Sequence, residues 1–277
     1  EADAPRFSMY ATVHEYARAK LGATEEATAA ELRHGEFFAA LANQIGGSAH
    51  DFAGGAHALL VVRTELDNIV AGCRRALARG DETRTADLFL VAHGFVSKYG
   101  PAMLSLELGR QALPILSTKE RRANVLSSLG NAAFVLGVLG EARTYLLEAV
   151  HLFEELGNPA AASAPHVSLG YIEHQQGRTH EAQAHYQAAL ESARRAGNRR
   201  FEALALNALG IVHLDLGHIP EAKATFEEAV AASVELRDRR REAVARGNLA
   251  ILHRQQGNIA EARREAELSI ECNREVG

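Results

Sequence analysis

Thirteen histidines invite a search for chemistry, and one run comes closest to a known arrangement: RTHEAQAHYQAAL, residues 178–190, with His180, Glu181 and His185. A His-Glu-x-x-His helix sets two imidazoles at i and i+4 on one face, where both reach a zinc ion and the glutamate serves as base. Here the histidines stand at i and i+5, about 140° apart at 3.6 residues per turn, so a regular helix cannot direct both to one ion. His166 and His174 lie eight apart with no third ligand at a fixed spacing. His213 and His253 share a position with Ala133 and Glu173 in a repeating frame, which reads as a half-buried packing position. No Gly-x-Ser-x-Gly occurs, Cys73 and Cys272 lack a nucleophile's setting, and the Gly-rich stretch 46–58 is not followed by Lys-Ser/Thr. The expectation is no catalytic residue, no cofactor and no metal, hence not an enzyme.

What positions these histidines is a repeat. Offset by forty residues, THEAQAHYQAAL falls on IPEAKATFEEAV (219–230), then on IAEARREAELSI (259–270), and backwards on LGEARTYLLEAV (139–150). Glu181 has counterparts Glu141, Glu221 and Glu261; Ala182 has Ala142, Ala222 and Ala262; Tyr186 has Leu146, Phe226 and Ala266. Neither histidine recurs in this half of the unit. In the other half, Leu129-Gly130, Leu169-Gly170, Leu209-Gly210 and Leu249-Ala250 are in register. Gly137, Gly177, Gly217 and Gly257 form one glycine column; Gly157, Gly197, Arg237 and Gly277 form another, followed by Asn158, Asn198 and Asp238. Glycine after an apolar helical run is a helix stop, because it takes positive φ at little cost. Each unit therefore reads as helix A (near 159–176 in the second), a short turn, and helix B (near 179–196). Gly130, Gly170 and Gly210 fall in mid-helix A, where glycine costs about 1 kcal/mol against alanine and is tolerated where another helix passes close. Ala142, Ala182 and Ala222 would supply the matching small surface, with Tyr186 and Phe226 filling beside them.

The Leu-Gly pair on helix A and the Ala-x-x-x-aromatic pattern on helix B, with Ala189 and Ala229 three further on, resemble the tetratricopeptide repeat (TPR). The departures are a period of 40 rather than 34, no Trp and no closing Pro. Longer units of this type occur in kinesin light chains and large bacterial regulators. The resemblance implies an all-α TPR-type solenoid, a right-handed superhelix of antiparallel helix pairs. Regular units are 118–157, 158–197, 198–237 and 238–277, and 81–117 is a degenerate one in which Gly100 aligns with Gly137 and Pro101 starts helix B.

With 47% hydrophobic and 23% charged residues among 277, the chain can fill a core. Two cysteines make no disulfide framework, so a reducing cytoplasm is expected. No run of eighteen apolar residues suggests a membrane span, and no leader is evident. Both ends read as cuts in a larger protein. A net charge of -5 argues against nucleic acid as a partner. Arginines cluster at unit junctions (Arg121-Arg122, Arg199-Arg200, Arg239-Arg240-Arg241), either as solvated turn residues suited to helix C-termini or as an edge for an acidic protein.

Residues 1–80 are helical but out of phase with the repeat. The stretch 6–21 reads as a short extended start and then a helix, with Val13, Tyr16, Ala17 and Leu21 on one side; further helices are expected over 24–45, with Thr24 as N-cap and Leu32, Phe37, Phe38, Leu41 and Ile45 as apolar anchors, and near 58–79. Arg6, Phe7, Met9, Thr12, Val13, Glu15, Tyr16 and Ala17, then His34, Phe37 and Phe38, then Glu65, Leu66, Asp67 and Asn68, resemble the joint of STAND-class signal-transduction ATPases. In that family the segment follows the winged-helix element and ATPase core and leads into TPR units, and many members regulate transcription. The resemblance implies that 1–80 is a linker after such a core, and 81–277 the sensor arm.

TPR arrays bind along one stripe of helix A on their concave side. Carried onto this sequence, the stripe holds Asn131 and Phe134; Val167, Tyr171 and His174; Leu204, Asn207, Ile211 and Leu214; Ile251 and Arg254. It lacks the Lys/Arg/Asn set that clamps a terminal carboxylate in chaperone-binding members, and suits an apolar peptide, helix or partner domain; the alternative is that a tight superhelix buries much of the stripe against neighbouring helices. Tyr171 is the expected anchor, its truncation sparing stability, while Arg199 and Arg240 are expected to matter little. Three functions stay open: a ligand-sensing and protein-interaction arm of a STAND-type regulator, in contact with its own upstream ATPase; a stand-alone TPR adaptor or peptide receptor; and a metal-dependent hydrolase at His180 and His185.

Overall fold

The computed structural model describes residues 20, 25–45 and 55–276. Among them the regular structure is helical throughout, with no strand. The helix expected within 6–21, apart from Lys20, lies outside the described residues, as do the Thr24 cap, all of the ATPase-joint residues from Arg6 to Ala17, and Gly277. The chain divides into two compact units, 1–98 and 99–277.

In the first unit, helix α1 (Glu25–Ile45) pairs with α2 (Gly55–Ala78), and α3 (Glu82–Tyr99) follows a turn at Gly80, whose φ is 70°. Helix α2 begins earlier than expected: Gly55 to Ala58 are helical rather than loop, since Gly55 opens a run of good helix formers. Phe38 is buried, while Phe37 is 63% exposed and Leu32 37% exposed, so two of the expected anchors are not core. Helical geometry explains it, because the face bearing His34, Phe38 and Leu41 turns Phe37 about 100° aside. His34 meets Arg75 at 3.1 Å, and Asn68 donates to Glu65 at 2.7 Å. The Cys73 thiol, pushed up to about 12 by burial, reaches the Thr85 carbonyl.

In the second unit, α4 (Ala102–Ala112) and a 3₁₀ turn (Leu113–Ile115) precede four helix pairs: α5 (Lys119–Val135) with α6 (Leu139–Glu155), α7 (Ser163–Gln175) with α8 (Thr179–Arg195), α9 (Arg199–Asp215) with α10 (Ile219–Glu235), and α11 (Arg239–Gln255) with α12 (Ile259–Val276). This is an α-solenoid. Helix A of the second pair starts later than expected, since Pro159–Ala162 forms a 3₁₀ turn before α7; Pro165, which lacks an N–H, is harmless in the first turn. Gly100 is not left-handed like Gly137: the proline after it favours extended backbone.

The described stops of the four helix pairs follow one plan. Gly137, Gly177, Gly217 and Gly257 have φ of 73–78°, and the next residue closes a Schellman bond, as when the Val138 amide donates to the Ala133 carbonyl at 2.9 Å. The same bond ends helix B at Gly157 and Gly197. Arg237 holds this place in the third unit at φ 54°, a conformation that strains an L side chain. One residue on, Asn158, Asn198 and Asp238 are N-caps, their side chains accepting from the amides of Ala161, Phe201 and Arg241 at 3.0–3.3 Å.

The mid-helix glycines lie against large side chains of helix B, rings at Gly170 and Gly210 and Leu146 at Gly130. A methyl on Gly210 would lie 2.5 Å from Phe226 Cδ1, and one on Gly170 would overlap the Tyr186 ring; at Gly130 it would overlap Leu146. Ala182 and Ala222 are fully buried beside them. In the fourth unit both partners change, to Ala250 and Ala266. Successive units share their core: Tyr186, Val167, Leu206, Leu209 and Val212 form one cluster across α7, α8 and α9.

Candidate ligand groove on the first helices of the repeat

The stripe expected on helix A is brought together by stacking of α5, α7, α9 and α11, and much of it is already engaged. Ser168 Oγ donates to Asn131 Oδ1 at 2.6 Å, Asn248 Nδ2 donates to Asn207 Oδ1 at 2.8 Å, and His174 Nε2 lies 2.6 Å from Asp215 Oδ2. Phe134 stacks on Tyr171 at 6.4 Å between ring centroids, and Tyr171 meets Tyr186 edge-on at 5.6 Å. Apart from Tyr171 and Tyr186, which share a unit, these partners stand 37 or 41 residues apart, one repeat give or take a few residues, so each of those contacts ties one unit to the next.

Tyr171 therefore packs on the core between the second and third units, and burial pushes its hydroxyl pKa up. The expectation that Tyr171→Ala would spare stability does not fit this position. Val167 is buried as well. What stays open lies further along the array: Ile211 and Leu214 are half-buried against Phe226 and Leu252, Ile251 is 44% exposed, and Arg254 is exposed with no ion-pair partner among the described residues. The arrangement can take an apolar segment against aliphatic side chains, with one free guanidinium beside it.

Sequence reasoning missed the buried carboxylates. Glu173 is 1% exposed, and both Arg143 and Arg178 bind it, Arg143 Nε at 2.8 Å. Glu202 receives Arg194 Nε at 3.0 Å and Arg199 at 2.8 Å; Glu242 receives Arg246 and Arg239, each at 2.9 Å. Burial opposes the charge on each carboxylate, but the paired arginines outweigh it and hold the pKa below the ordinary value. Arg199 and Arg239 are thus internal clamps that also reach Glu235 and Glu275, each on helix B of the same unit, not merely solvated turn residues. Glu202 and Glu242 sit three residues after Arg199 and Arg239, and that recurring Arg-x-x-Glu was the available signal.

His180 is exposed, whereas His185 turns inward to His166 on α7, so the two histidines of the opening motif point to different places. His253 is buried and His213 half-buried, at positions facing helix B. Among the described residues no group of three or more His, Cys, Asp or Glu is placed to hold a metal, and no helix is long and apolar enough to cross a membrane.

Solved structures share the fold at low identity. The structure of BtubC from P. vanneervenii overlaps 82% of this chain and 93% of its own, at TM-score 0.67 and 20% identity. Aspartyl phosphate phosphatase F from Bacillus subtilis overlaps 89% and 75%, at 0.63 and 12%. The Rap conjugation gene regulator of plasmid pLS20, in complex with the Phr* peptide, overlaps 88% and 75%, at 0.58 and 17%. Curated proteins give no sequence match. The model of the MalT-like TPR region matches residues 95–268, from the end of α3 through the Glu-Ala column of α12, which is more than half of the chain. With its paired helices, glycine stops and ring-on-glycine contacts, this chain belongs to the MalT-like TPR region family.

Proposed function

We propose that this chain is a non-catalytic ligand-sensing and protein-interaction module, the cytoplasmic sensor arm of a STAND-type regulator, which takes a protein or peptide along helix A. The observation that carries the reading is the open part of the stripe: Ile211, Leu214 and Ile251 beside the unpaired Arg254, on a frame whose other polar groups are bonded to one another. Family membership supports an interaction role, and the Rap regulator solved with Phr* shows a peptide complex on a related fold. The ATPase half rests on the residues of 1–80 that resemble the STAND joint. In this reading ligand on the arm releases the upstream ATPase of the same chain to oligomerise.

The test is capture of a labelled peptide library by this chain, followed by affinity and melting measurements on variants. Leu214→Glu, Ile251→Glu and Arg254→Ala should each weaken the captured peptide, with a few anchors carrying the effect, while Arg240→Ala leaves binding unchanged. Loss in Arg240→Ala with the groove variants intact moves the site to the junction edge. An encoded frame without Gly-x-x-x-x-Gly-Lys-Ser/Thr upstream overturns the ATPase half and leaves a stand-alone adaptor.

A further inference from the structure

His166 on α7 and His185 on α8 face each other across the two helices of one unit, with Nδ1 to Nδ1 at 3.2 Å and the ring centroids 5.4 Å apart. The juxtaposition is built into the fold. Eighty residues on, the same two positions hold Arg246 and Glu265, which form an ion pair at 2.9 Å. The two columns meet across the helix pair in both units, and in the second unit alone both are imidazoles: elsewhere they are Leu126 with Tyr145, and Leu206 with Thr225.

We propose that His166 and His185 are a two-imidazole site for a divalent transition metal of the copper and zinc class, joining helices A and B of the second unit. At a metal–nitrogen bond of about 2.05 Å, two cis ligands stand about 2.9 Å apart in square-planar geometry and about 3.3 Å apart in tetrahedral geometry. The observed separation lies between these, so an ion is seated by small ring rotations rather than by moving a helix. Both side chains are half-buried, which leaves solvent access for the water ligands that must complete the shell, since among the described residues no third His, Cys, Asp or Glu joins the pair.

The protonation state suits ligation. Burial, and His185 beside it, push the His166 pKa down to about 4; burial also lowers His185, against Glu173 and together with Arg143. Both rings are neutral at pH 7. Without metal, one Nδ1 carries the proton of an N–H···N bond and the other accepts it. On binding, that proton leaves Nδ1 and the ring regains one from water at Nε2, so the pair takes up the ion with no net proton release. This site is independent of the groove reading and of the His180 and His185 spacing, which cannot share an ion.

The test uses the untagged 277-residue chain, titrated with Cu²⁺ at pH 6 and followed by electron paramagnetic resonance and by melting. At pH 6 an ordinary imidazole is mostly protonated, which weakens adventitious binding of the ion. One Cu²⁺ per chain with two equatorial nitrogens and a raised melting temperature is expected, with Zn²⁺ weaker. His166→Gln and His185→Gln should each abolish that signal, and the glutamines keep the volume so that circular dichroism can confirm the fold. His180→Ala should retain it. No two-nitrogen species in the unmodified chain, or one that survives both glutamine variants, overturns the proposal, and loss in His180→Ala alone does so too.

Discussion

At the residue scale, the informative positions are those where the repeat's rule and the local side chain disagree. Arg237 takes the left-handed conformation that Gly157 and Gly197 take in the units before it. That costs an L residue roughly 1–2 kcal/mol, partly returned by the lower chain entropy of a non-glycine when unfolded. Arg237→Gly should therefore raise stability by about 0.5–1 kcal/mol, read as a higher urea midpoint at unchanged slope; a lower midpoint would show that Arg237 makes a contact worth more than the strain. Gly210 is the converse case. Gly210→Ala places a methyl against the Phe226 ring and Gly210→Leu more, with an overpacking cost of about 1–3 kcal/mol. In a double-mutant cycle the cost should shrink when Phe226 is already Ala, because the clash is gone. Additive costs would mean that the ring yields freely. The glycine columns were legible in the sequence because backbone conformation is a local property; that a ring and not a neighbouring helix backbone lies on Gly170 and Gly210 was not, because it depends on where α8 and α10 dock.

At the element scale, each helix pair is closed by polar contacts as well as by core. Glu173 ties α7 to α6 through Arg143, and Glu202 ties α9 to α8 through Arg194. The lowered carboxylate pKa values mean that this stabilisation is present above the ordinary value of 4.5 and is lost as pH falls through the folded values. The histidine pair has the same sign by a different route. His166 is neutral in the fold down to about 4 but charges near 6.5 when unfolded, so acid favours the unfolded chain across that interval. Urea midpoints should thus fall in two stages, first from about pH 6.5 towards 4 and then below 4.5 as the clamps protonate. His166→Gln should make the first stage shallower and Glu173→Gln the second, since His34, His185 and His213, and Glu202 and Glu242, contribute to the same stages. A midpoint constant from pH 7 to 5 would refute the first stage. Element existence was readable from periodicity, and the A–B turns from Gly; the 3₁₀ start at Pro159 was not, since it reflects competition between the Asn158 cap and the proline that follows.

At the scale of the whole array, stability passes between neighbours rather than through one central core. Ala142, Ala182 and Ala222 are fully buried, whereas Ala262 is 8% exposed, and Ile259 and Ile270 on α12 are 59% and 52% exposed. Helix α12 should open before the inner pairs, so native-state hydrogen exchange should be fastest there and slowest in α8 and α9; equal protection throughout would point to a single cooperative unit. Tyr171→Ala, which removes contacts to Phe134 and Tyr186, should lower the melting temperature, so a loss of ligand in that variant has to be read beside Leu214→Glu, which leaves the ring stack alone.

By itself, the sequence determined the helical class, the forty-residue frame, the positions of the stops, and which residues share the helix-A stripe, because all of these follow from short-range backbone preference and from recurrence in phase. Only the tertiary structure decided how that stripe is used. Asn131, Tyr171, His174 and Asn207 are engaged with the adjoining unit while Ile251 and Arg254 are not, and Glu173, Glu202 and Glu242 are buried charges rather than solvated ones. The physical reason is that a repeat specifies which side chains face a neighbour, whereas the rise and turn between units, set by core side chains such as Tyr186 and Phe226, decides which of them come within bonding distance.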